Sequence, residues 1–113
     1  MKFATIAFPV AVAACLMISV AHAGDINAGK KKVEQVCQAC HGMNGNGRTD
    51  NDARLAGQYP DYIIRALKDY ALGARKNPIM MGIASTLSEA DRANVAAYYA
   101  SPENGVNPVS STK

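Results

Sequence analysis

The chain has 113 residues, 12 basic against 9 acidic, with 49% hydrophobic side chains, three cysteines, two histidines, two phenylalanines and no tryptophan. That length supports one small domain, and a net charge of +3 is too slight to indicate nucleic acid. The apolar residues are unevenly spread. After Lys2, the stretch Phe3 to Ala21 holds no charge and ends in Ala21-His22-Ala23. A basic start, an apolar run and small residues two apart at the cut site predict an export signal, residues 1–23. Pro9 and Ser19 in a run barely long enough to cross a bilayer argue against a permanent span. A lipoprotein-type cut before Cys15 is disfavoured because the apolar run continues past it.

Cleavage after Ala23 leaves 90 residues and removes both phenylalanines, Cys15, His22, Met1 and Met17. Of the 37 hydrophobic residues that remain, 13 are alanine, which buries little area. So thin a core needs a staple from outside its own apolar side chains.

In chain order, the spacing first predicts a helix from Ala28 to Cys40, capped by Asp25 or Asn27. Its apolar face is Gly29, Val33, Val36, Cys37 and Cys40, so both cysteines are expected on the buried side. The glycine-rich segment 42–52 reads as an irregular turn; without a preceding strand or a Gly-Lys-Ser/Thr ending it is no phosphate loop. A second helix is predicted from Pro60 to Leu72, stopped by Gly73. Ile63, Ala66, Leu67 and Tyr70 form its core stripe, and Asp61, Arg65 and Asp69 a solvated face. The stretch 73–87 reads as a connection carrying Met80 and Met81 after Pro78. Ser88 and the acids after it open the last helix, which presents Val95, Tyr98 and Tyr99 and stops before Pro102. Residues 101–113 are expected to be a flexible tail.

Cys37-Gln38-Ala39-Cys40-His41 is the c-type haem attachment pattern. Cysteines three apart lie on one side of a helical turn, where both sulfurs can add to the vinyl groups of one porphyrin. The adjacent histidine then lies under the iron and binds it when neutral, with its other ring nitrogen held by an acceptor. A disulfide across three residues would constrain almost nothing. Zinc would need a fourth ligand that the mature chain lacks, and a thioredoxin-like thiol pair needs a strand and helix context that is missing. With His41 the sole mature histidine, a methionine is the expected sixth ligand. Met43 is too near His41 to reach the far face, which leaves Met80 and Met81.

Residues 25–100 resemble a class I c-type cytochrome, closest to one domain of the bacterial cytochrome c4 and small cytochrome c553 group. The matching elements are Gly29, Cys37-Gln38-Ala39-Cys40-His41-Gly42, Leu55-Ala56-Gly57-Gln58, Tyr62, Gly73-Ala74-Arg75, the methionine loop, Leu87-Ser88 and Ala96-Ala97-Tyr98. The resemblance implies an all-α cytochrome c fold, with three main helices around one covalent haem c and with first and last helices crossing at Gly29 and Tyr98. In that group the axial methionine precedes the leucine of Leu-Ser by seven residues, which selects Met80, with Met81 second. Two departures stand out. Ala53 occupies the place of a frequent proline whose carbonyl accepts the proximal histidine's proton, and this chain has one haem motif where the best-known c4 members have two.

These readings imply a periplasmic one-electron carrier and not an enzyme, soluble after cleavage and docking transiently on a redox donor and acceptor. Lys30, Lys31, Lys32, Arg75 and Lys76 are candidates for steering that contact. The alternative is the haem subunit of a periplasmic dehydrogenase, such as a flavin-linked sulfide-oxidising enzyme. A peroxidase or gas sensor would need a displaceable sixth ligand, against which the two methionines argue.

Overall fold

The structure, a computed structural model, describes residues 2–7 and 24–101. The expected cleavage site at Ala23 and residues 102–113 of the expected tail lie outside the described residues.

Helix α1 (Ile26–Lys32) starts where Asp25, in extended conformation, accepts the Ala28 amide at 3.0 Å. Of the two candidate caps, Asp25 is the one used. The helix does not run on regularly: Val33–Cys37 is a π-helical turn, which leads into α2 (Gln38–His41). α3 (Pro60–Leu72) has the predicted bounds. Pro60 sits in its first turn, where no amide is needed, and Gly73 closes it in the left-handed region at φ 74°. α5 (Glu89–Ala100) opens with a complete capping box, in which Ser88 Oγ accepts from the Asp91 amide and Asp91 accepts from the Ser88 amide.

Two expectations need correction. The connection 73–87 is not wholly irregular, because α4 (Pro78–Ser85) occupies much of it, with Asn77 as cap accepting the Met80 amide at 3.0 Å. Met80 and Met81 are thus helical residues. Nor do both cysteines face inward: Cys37 is half-buried and Cys40 exposed. The π turn is the physical reason, since an i to i+5 turn accommodates an extra residue and rotates everything after it away from the Gly29–Val33 stripe.

No strand occurs among the described residues. The core gathers Val33, Ile63, Leu67, Ala84, Leu87, Val95, Ala96, Tyr98 and Tyr99. α1 packs closely along α5, and α3 packs on both α4 and α5. The α1–α5 approach depends on Gly29. A Cβ there would collide with the Asn94 carbonyl, 2.6 Å from its carbon, and lie 3.0 Å from Tyr98 Cβ. The first and last helices meet at Gly29 and Tyr98, as expected. Asn94 Oδ1 also accepts the Asp25 amide at 2.8 Å, joining the start of α1 to α5.

Candidate haem site

The segment after His41 is pinned from two sides. Tyr98 and Tyr99 reach across from α5 and donate their hydroxyls to the carbonyls of Met43 and Gly42, each at 2.9 Å. Burial raises the pKa of both phenols, so they stay protonated donors. The loop itself folds back on α2: the Gly47 amide donates to His41 O at 2.9 Å and the Arg48 amide to Cys40 O at 3.0 Å. These bonds satisfy carbonyls that the end of a helix leaves free.

Beside this segment lies a cleft with about 930 Å³ of atom-free space, part of it open to solvent. Val36, Cys37 and His41 form one wall, the loop at Ala53, Leu55 and Gln58 another, and α3 supplies Tyr62, Ile63, Ala66, Leu67 and Tyr70. Met80 and Ile83 of α4, with Leu87 and Val95, complete it. The lining is mainly apolar, with the His41 imidazole and the Met80 thioether as its metal-binding groups and the Cys37 thiol beside them. It suits a flat apolar macrocycle with a soft central iron.

His41 Nδ1 lies 2.7 Å from the Ala53 carbonyl oxygen. A carbonyl can only accept, so Nδ1 carries the proton and the neutral ring keeps Nε2 free to bind a metal. Ala53 performs with its backbone the task expected of it, without proline. Burial pushes the Cys37 thiol up to about 11, Lys32 opposing, so at neutral pH the group is a thiol and not a metal-binding thiolate. Among the described residues no cluster of three or more His, Cys, Asp or Glu side chains could hold a metal ion.

The structure thus brings Cys37, His41 and Met80 to one cleft and leaves Cys40 and Met81 off its lining. Met80 packs against the core, whereas the tip of Met81 lies by Gly73, where a glycine Cβ would stand 3.8 Å from its Cε. The basic residues separate as well. Lys30 and Lys31 are exposed on α1, and Lys32 pairs with Asp91 at 3.7 Å. Only Arg75 of the five lines the cleft; its Nη1 donates to Tyr62 Oη at 3.3 Å and its guanidinium lies 5.0 Å from the Tyr70 ring centre. Sequence reasoning gave no site role to Tyr62 or Tyr70. The usable signal is that each stands four residues from Ala66, the i, i+4 step by which the α3 wall of the cleft is built.

An all-helical fold around a Cys-x-x-Cys-His cleft defines a c-type cytochrome. The chain belongs to the class I c-type cytochromes related to cytochrome c4. Residues 24–98 match the family model described as Cytochrome C oxidase, cbb3-type, subunit III. Cytochrome c4 of Pseudomonas aeruginosa is 41% identical over 91 residues, 80% of this chain and 45% of the relative. Cytochrome c-554(548) of Halomonas halodenitrificans is 40% identical over 84 residues, 72% of this chain and 100% of the relative. A protein of Stutzerimonas stutzeri named thiosulfate dehydrogenase electron acceptor is 36% identical over 100 residues, 82% of this chain and 46% of the relative. The crystal structure of reduced recombinant cytochrome c4 from Pseudomonas stutzeri superposes with a TM-score of 0.64 at 40% identity, over 70% of this chain and 46% of that one. The chain spans about half the length of the cytochrome c4 relatives it matches. Family membership implies covalently bound haem c, and Cys37 and Cys40 fit its attachment motif.

Proposed function

We propose that this chain is an exported, periplasmic monohaem electron carrier, with Cys37 and Cys40 as the thioether positions and His41 and Met80 as the axial iron ligands. Bound haem supplies a one-electron iron couple. The chain's residues do the rest. His41 presents Nε2 because Ala53 holds the Nδ1 proton, and the thioether of Met80 favours the reduced state relative to a second nitrogen ligand. Ile63, Leu67, Ile83 and Leu87 give the inner part of the cleft an apolar lining, which limits the solvent rearrangement that accompanies a change of charge. The observation that carries the reading is the convergence of Cys37, His41 and Met80 on one cleft, with the His41 tautomer set by a 2.7 Å hydrogen bond.

The test is the near-infrared methionine-to-iron band of the purified, haem-loaded ferric protein, recorded for the parent, Met80→Ala and Met81→Ala. Met80→Ala should abolish the band and Met81→Ala should retain it; the reverse pattern overturns the assignment. Carbon monoxide binding readily to the untreated ferrous protein would contradict a carrier with both axial positions filled.

A second reading concerns the donor. The relative named as an electron acceptor of thiosulfate dehydrogenase favours a sulfur-oxidising dehydrogenase as the partner that reduces this chain. Rapid reduction by such an enzyme during turnover supports that reading. Co-purification of a flavoprotein at fixed stoichiometry would instead favour the sulfide-oxidising subunit. No helix of the described residues is long and apolar enough to cross a membrane, in keeping with docking from the aqueous side.

A further inference from the structure

The hydrogen bond that orients His41 ends on Ala53, a residue whose φ is not fixed by a proline ring. Something else must hold that carbonyl, and the residue before it has the geometry to do so. One oxygen of Asp52, Oδ2, accepts three hydrogen bonds: from the Thr49 amide at 2.8 Å, from Thr49 Oγ1 at 3.0 Å and from the Arg48 amide at 3.2 Å. The Asp52 amide in turn donates to Thr49 O at 3.1 Å. Residues 48–52 are therefore closed into a ring by one side chain. The ring is anchored to the attachment helix, because the Arg48 amide donates to Cys40 O and the Gly47 amide to His41 O. The chain leaving this ring is Ala53, whose carbonyl meets the His41 imidazole. The bonds from Thr49 hold the Asp52 carboxyl below the ordinary carboxylate range, so at neutral pH it is the charged, stronger acceptor.

We infer that Asp52 is a positioning residue for the haem iron: its clip on Arg48 and Thr49 sets the Ala53 carbonyl that polarises His41. This rests on the reading of His41 as the proximal ligand. A well-placed acceptor on Nδ1–H makes the imidazole a more basic ligand and favours ferric iron, so loosening it favours the ferrous form. Asp52 itself touches neither the iron site nor His41 within hydrogen-bonding distance. Its positioning influence passes through the backbone of Ala53, beside a weaker direct electrostatic interaction with the His41 side chain.

The experiment uses the haem-loaded protein and reads the midpoint potential and the hydrogen exchange of the His41 ring N–H. Asp52→Ala should shift the midpoint potential upward and speed the exchange of the ring N–H, as expected when the acceptor on a ligating histidine is loosened. Asp52→Asn, which keeps an acceptor oxygen, should lie between it and the parent. Ala53→Pro supplies backbone stiffness by another route, so in that background Asp52→Ala should have a much smaller effect. This interaction separates positioning from simple loss of stability, which would follow Asp52→Ala in either background. A haem-loaded Asp52→Ala protein with unchanged potential and ring exchange overturns the clip while leaving the ligand reading intact. Absence of covalent haem, or of a histidine-ligated spectrum, in the parent overturns both.

Discussion

The two sides of this molecule are built on different principles. Where α1 meets α5, protein packs directly on protein: Gly29 lies against the Asn94 carbonyl, Val33 and Tyr99 are wholly buried, and Asn94 ties down the Asp25 amide. Where α3 and α4 face α2, apolar side chains that pack together in the core also line an open cleft. The first side is closed by its own residues. The second has apolar surface whose natural complement is the haem, so the cofactor is structural material as well as the redox centre.

The largest expected effect comes from taking that material away. With Cys37 and Cys40 both replaced by alanine, the chain should fail to retain haem and be largely unfolded, because its remaining core is small and alanine-rich. Circular dichroism and hydrogen exchange check this, and protection should vanish first in α3 and α4. A haem-free protein with native protection throughout would show that the cleft side does not depend on its cofactor.

The next effect belongs to the opposite side. Gly29→Leu drives a side chain into the Asn94 backbone and Tyr98, neither of which is a flexible tip that can swing away. Overpacking of this kind should cost about 3 kcal/mol or more, measured by denaturant unfolding of the haem-loaded form. If Gly29→Leu were as stable as the parent, the close α1–α5 crossing would be wrong.

This division also explains what could be read in advance. Chemistry written in neighbouring residues was legible: the haem motif, the Pro60 start and Gly73 stop of α3, and the Ser88 cap of α5. The contact of Gly29 with Tyr98 came through the family resemblance, since 69 positions separate them. The features that escaped depend on the whole fold. α4 consists of Pro-Ile-Met-Met-Gly-Ile-Ala-Ser, apolar on nearly every side and interrupted by Gly82, so it has no amphipathic period to detect. It is helical because Asn77 caps it and because α3 and the buried Ala84 give it a surface to pack on. The π turn left no mark in Val33-Glu34-Gln35-Val36-Cys37, yet it decides that Cys37 is half-buried and Cys40 exposed. The role of Ala53 was legible only as a departure, and the Asp52 clip behind it exists only once the loop 48–52 has folded against α2.

The smallest expected effect sharpens the comparison through pH. At the α1–α5 side, Asp91 closes the capping box and also pairs with Lys32 of α1 at 3.7 Å. Its hydrogen bond from the Ser88 amide leads the causes that hold its carboxyl below the ordinary range, opposed by a smaller rise from burial. The folded value is thus below the unfolded value, which is about 4. The resulting stabilisation is complete above about pH 4 and is lost as the pH falls through the folded value. Because Asp91 is only partly buried, Asp91→Asn should cost about 1 kcal/mol or less at neutral pH, and Ser88→Ala about 1 kcal/mol. Stability of the parent should therefore fall in acid, and Asp91→Asn should flatten part of that fall. Ser88→Ala keeps the Lys32 pair and should retain more of the slope than Asp91→Asn does. Equal slopes in all three proteins would mean that Asp91 contributes nothing to the crossing, and that its stability comes from the apolar contacts at Gly29, Val33 and Tyr99 alone.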